Sequence, residues 1–150
     1  MSETSDVEQA DRVGRKRARL FLVQAALFLG WQGLFFSSPP GDPIRAVSAV
    51  KLSAWLVWVL LLLLLLATGG GLLRYRKLRG LLNDELTRQH RTAGFVAGFW
   101  VAVVACVGLY VIEMFEPVTG REAVHVILSL AIASALVTFA VLERRTAGGR

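Results

Sequence analysis

Glu113, Glu122 and His125 are the side chains of this sequence best placed by type and spacing to do chemistry. Carboxylate oxygens and an imidazole nitrogen suit zinc or iron. Glu122 and His125 stand three residues apart, so on a helix they share a face. Glu113 closes the preceding apolar stretch, and Glu116 is a third acid nearby. Such a group could hold a divalent ion and serve a membrane enzyme. The competing reading is a cluster of Arg121, His125 and the carboxylates that ties a short loop together, with Glu122 also favouring the positive end of a helix dipole. Cys106, the only cysteine, lies inside an apolar run, so no intramolecular disulfide forms and thiol redox chemistry is set aside. The other histidine, His90, falls outside the apolar core, which argues against a haem held at membrane depth. No glycine-rich phosphate cradle and no nucleophile with a base are present, and no cofactor is called for.

The elements that must position these residues are four apolar segments. With 55% apolar residues and a net charge of +6, the chain is apolar and basic together. The first segment runs from Ala18 to Phe36; about 19 residues reach roughly 28 Å, close to a ~30 Å hydrocarbon core. It is expected to remain as a span rather than a cleaved leader, because bulky Phe35 and Phe36 stand where small residues would mark cleavage. Asp42-Pro43 opens the second helix, Ala54–Thr68 is its lipid-buried part, and Gly69-Gly70-Gly71 ends it as a fraying terminus or a hinge. The third helix starts near Asn83 or Asp84 and its apolar part runs from Ala93 to Ile112, while the fourth covers Val124–Leu142.

The fold class is therefore all-α: a polytopic, four-transmembrane-helix antiparallel bundle. A cytosolic acidic-then-basic tail at 1–17 precedes a membrane domain at 18–145. Its helices lie at about 18–37, 43–68, 84–113 and 122–143, and a frayed tail follows at 146–150. Fourteen of the 17 Lys and Arg residues flank the N-terminus, the loop between helices two and three, and the C-terminus. That asymmetry puts both termini inside, in a cell inner membrane crossed several times. The same location accounts for the basic charge without nucleic acid.

Helices in a bilayer associate through small residues and polar contacts, because lipid tails are as apolar as leucine. Gly94, Gly98, Ala102 and Cys106 recur every four residues in helix three; Ala131 and Ala135 do so in helix four, and Ala26 and Gly30 in helix one. Helices one, three and four are expected to pack closely, with helix two peripheral. The spans carry no charge between Leu20 and Phe36, Ala54 and Thr68, or Ala93 and Ile112, which argues against transport driven by a buried charge. Gln24, Gln32, Ser129, Ser134 and Thr138 are expected to bond between helices.

The central loop offers the best patch for a partner. Arg74 to Arg79 are attracted to anionic lipid, and Leu78, Leu81, Leu82 and Leu86 make an apolar face. Arg76, Arg79, Asp84, Glu85 and Arg88 are the candidate contact residues. The stretch Leu82-Asn83-Asp84-Glu85-Leu86-Thr87-Arg88, entering a glycine-rich apolar helix, resembles a pattern in small uncharacterised bacterial four-helix inner-membrane proteins. The resemblance spans Leu81 to Gly98 and implies no activity. The expected function is a non-enzymatic membrane subunit or regulator, with a homo-oligomer or another membrane protein as partner. A holin-like, pore-forming oligomer and a membrane enzyme using the outer Glu/His group are the alternatives.

Overall fold

A computed structural model describes residues 2–37, 49–69 and 85–148. These form four helices and, among the described residues, no strand: α1 (Ser2–Ser37), α2 (Ala49–Ala67), α3 (Glu85–Glu113) and α4 (Gly120–Gly148). The described part of the chain is all-helical. Two of the helices, α3 and α4, are long and apolar enough to cross a membrane, and Ser53–Ala67 is a shorter apolar helix.

Helix α1 starts 16 residues before the expected boundary at 18, so the segment read as a tail is largely helix. Residues 2–19 are dominated by Glu, Gln, Ala, Lys and Arg, all good helix formers, and contain no proline. Extending a helix already nucleated by the apolar run costs little. Its buried residues Gly14, Ala18, Phe21, Ala25, Phe28 and Gln32 alternate spacings of four and three, the repeat of a coiled-coil seam. The small pair Ala26 and Gly30 is exposed, contrary to expectation. Phe21 and Phe28 fix the rotation of the helix because each buries far more area than an alanine or glycine. Phe21 meets Phe139 with ring centroids 4.6 Å apart, and Phe28 meets Trp58 edge-on at 5.3 Å.

Helix α2 buries Trp55, Val59, Leu62 and Leu66, a stripe of large residues with the same repeat, packs Trp58 and Leu65 partly against the core and turns most of its other apolar surface outward. It joins the core through that stripe. Its expected start at Asp42-Pro43 lies outside the described residues. At its end Gly69 adopts φ +58° and its N–H bonds the Leu66 carbonyl at 3.0 Å, while the Thr68 N–H bonds the Leu64 carbonyl at 2.9 Å. Gly69 is thus a left-handed cap rather than a frayed end. Gly70 and Gly71 lie outside the described residues.

Helix α4 lies at the centre, with α1 and α3 packed along it and α2 held more lightly. Its buried residues Ser129, Ile132, Ala133, Ala135, Leu136, Phe139, Ala140 and Glu143 cover a wide arc, as a helix with several neighbours requires. Helices α1 and α3 flank it, so the expected mutual packing of one, three and four becomes two separate packings on four. Gly94 faces the Ala135 carbonyl and Gly98 the Ala131 carbonyl, which makes α3 and α4 antiparallel with close backbone approach. Ala102 is half-buried, whereas Cys106 is exposed, so the four-residue ridge on α3 stops before Cys106. A strict four-residue repeat drifts around a 3.6-residue helix and leaves the interface within a few turns.

Candidate functional site

Two polar joints stand at opposite ends of this arrangement. At the basic end, Glu143 near the close of α4 is shared between two helices. Its Oε1 lies 3.2 Å from Nη1 of Arg17 in α1, and its Oε2 lies 3.3 Å from Nδ1 of His90 in α3. A carboxylate only accepts, so His90 presents Nδ1–H to it. Arg17 also donates from Nη2 to the Gly69 carbonyl, and its guanidinium stands 5.8 Å from the Phe139 ring centroid. Arg91 donates from Nη1 to the Ala67 carbonyl at 2.6 Å. Two arginines therefore neutralise the negative end of α2, whose last carbonyls have no helical partner. The side chains of Arg17, Glu143 and His90 are only 13%, 10% and 8% exposed. At that burial an ion pair fixes geometry strongly, because breaking it strands a charge in a low-dielectric setting.

The joint connects all four helices and uses residues that sequence reasoning assigned elsewhere. Arg17 and Arg91 were expected only to set topology, and His90 to lie outside the core. One signal was available: Glu143 is an acid at the end of an apolar helix, followed by Arg144 and Arg145, and an acid in that position calls for a basic partner.

At the opposite end α1, α2 and α4 meet through Gln32, Trp55 and His125. The Trp55 and His125 rings stack with centroids 4.5 Å apart and an interplanar angle of 24°. His125 donates from Nε2 to Oε1 of Gln32. Gln32 is 4% exposed and Trp55 9%, and neither the Gln32 Nε2 nor the Trp55 Nε1 has a hydrogen-bond partner. Ser129, one turn on, donates its hydroxyl to the His125 carbonyl at 2.6 Å. Gln32 thus bonds between helices as expected. Ser129 and Ser134 do not, since Ser134 also bonds within α4, to the Ala131 carbonyl at 2.9 Å. A serine hydroxyl on a helix reaches the preceding turn more easily than a neighbouring helix.

Compared with family models, curated protein sequences and solved structures, the chain matches none.

The outer metal set is not assembled. His125 turns toward Gln32 and Trp55. Glu122 instead closes a capping box with Thr119: its Oε2 accepts from the Thr119 N–H at 3.2 Å and hydroxyl at 2.9 Å, while Thr119 Oγ1 accepts from the Glu122 N–H at 3.3 Å. The Thr-x-x-Glu spacing at 119–122 is a helix-start signature legible in the sequence. Glu113 and Glu116 are exposed, and no group of three or more His, Cys, Asp or Glu side chains among the described residues is placed to hold a metal. Of the candidate contact residues, Glu85 and Arg88 are exposed on the first turn of α3, and Arg76, Arg79 and Asp84 lie outside the described residues.

Proposed function

We propose that the chain is a four-span integral membrane protein with both termini inside, acting as a non-enzymatic subunit or regulator of a membrane assembly. The observation that carries the reading is the surface of α3. Only 6% of its most apolar stretch is buried, against 39% for α4. Phe99, Trp100 and Val104 are 62%, 60% and 69% exposed on it. At about 25 cal/mol per Å² of apolar surface, a face of that kind is costly in water and costs nothing in lipid.

Helix α2, with 19 residues, reaches about 28 Å and suits a span, as does the apolar half of α1. The Lys and Arg asymmetry orients all four. The Arg17–Glu143–His90 joint then sits at the inner face, where water and lipid phosphates keep charges tolerable. Both polar joints bind helix to helix, which suits a scaffold that presents a surface. The partner surface is the loop at 74–91, with anionic lipid beneath its arginines.

Photocrosslinking in membranes from Arg79, Leu86 and Arg88 tests the assignment. Capture of one recurring membrane protein from all three positions is expected. Capture of only further copies of the chain and lipid would remove the partner function.

A further inference from the structure

The joint of Gln32, Trp55 and His125 has more donors than it can satisfy. Between them an amide, an indole and a neutral imidazole carry four N–H hydrogens and two acceptor atoms. Two of the donors, Gln32 Nε2 and Trp55 Nε1, are buried without a partner. Turning the Gln32 amide end for end changes which atom meets His125 but leaves donors in excess. Each buried donor left unpaired costs about 1–3 kcal/mol, and native structures satisfy nearly all such groups. Among the described residues nothing accepts from either donor, and an acceptor from outside the chain would satisfy both.

Its depth indicates which kind. His125 lies five residues after the start of α4, where Thr119 caps the helix. At 1.5 Å per residue the joint it forms with Gln32 and Trp55 is about 7.5 Å inside that helix end. The polar layer on each side of a bilayer is about 5–7 Å thick, so the donors stand just beneath it. The acceptors found there are carbonyl oxygens of amphiphiles. The joint borders the seam of α2 with α1 and α4, and α2 is the most lightly packed helix.

We propose that Gln32 and Trp55, braced by His125, bind the carbonyl oxygen of a bilayer amphiphile, supplied by a phospholipid ester or a lipid-soluble quinone. The inference rests on the membrane reading above. The amide of Gln32 and the indole of Trp55 donate to the oxygen. The His125 ring holds Gln32 by a hydrogen bond and Trp55 by stacking, which makes it a positioning residue.

The test uses the full chain, stripped of lipid in dodecyl maltoside, a detergent without carbonyls. It is titrated in separate arms with carbonyl-¹³C phosphatidylglycerol and with carbonyl-¹³C decylubiquinone, and the labelled carbonyl stretch is followed in the infrared. A saturable band shifted to lower frequency is expected in at least one arm, and the arm that shows it names the source. Trp55→Phe keeps the ring and its stack but removes the N–H, and Gln32→Leu removes the amide. Losing one hydrogen bond should weaken binding about three- to tenfold in each variant. If Gln32→Leu does not fold, Trp55→Phe decides alone. No saturable shifted band in either arm, or an unchanged affinity in the variants that fold, overturns the proposal. A chain that stays monodisperse in water without detergent would instead overturn the membrane reading, and the titration would still report on the donors.

Discussion

Replacing Gly98 or Gly94 by alanine should loosen α3 from α4. An alanine Cβ at Gly98 would stand 2.9 Å from the Ala131 carbonyl oxygen and 3.2 Å from the Ala135 Cβ; at Gly94 it would stand 2.9 Å from the Ala135 oxygen. Comfortable carbon–oxygen contacts lie near 3.3–3.6 Å, so the helices must part by a few tenths of an ångström or more. Both obstacles are backbone, which cannot rotate away. Overpacking of this sort costs about 1–3 kcal/mol, and alanine returns up to ~1 kcal/mol through helix propensity. The net loss should be about 1–2 kcal/mol for either variant. The double variant should lose less than the sum, because parting the helices for one Cβ makes room for the other. Gly108→Ala is the internal control: nothing lies within 4 Å of its Cβ, so it should match or slightly exceed the wild type. The assay is the midpoint of SDS-induced unfolding in mixed micelles, followed by near-ultraviolet circular dichroism. Equal midpoints for Gly98→Ala and Gly108→Ala would refute the close approach of the two backbones.

Glu143→Ala should cost about 3 kcal/mol in the same assay, since it strands the Arg17 charge. Arg17→Met combined with Glu143→Leu should recover most of that loss. Gly69→Ala should lower the midpoint by roughly 1–2 kcal/mol, because L-residues are strained in the left-handed region; Gly69→Asn, which tolerates that region, should lose less. Thr119→Ala should cost about 1 kcal/mol through loss of the cap. Faster amide hydrogen exchange confined to the first turn of α4 would show it, and uniform exchange across the helix would count against a local cap.

The helices themselves were legible because each apolar run has the length and composition of a helix with an apolar environment. Pairings between helices were legible only where small residues bring backbones together, as with Gly94 and Gly98 beside Ala135 and Ala131. Helix α1 misled because two opposite faces were plausible, one small (Ala26, Gly30) and one bulky (Phe21, Phe28). Spacing alone does not say which face a neighbour will fill. The joint of Arg17, His90 and Glu143 was out of reach for another reason. Its members come from three segments, and their contact follows from the antiparallel setting of α1 and α3 on α4. The outer acids are not gathered into one group among the described residues: Glu122 caps its own helix terminus, a local bond that needs no chain closure, and Glu113 and Glu116 are exposed.

The membrane setting of α3 is open to one direct measurement on the unmodified chain. Cys106 is its only cysteine and is exposed on α3. A nitroxide attached there, in protein reconstituted into liposomes, reports its surroundings through collisions with dissolved oxygen, which concentrates in lipid, and with a water-soluble nickel chelate. The account predicts frequent collisions with oxygen and almost none with the chelate. Ready collision with nickel in sealed liposomes would contradict it, because the exposed face of α3 would then stand in water.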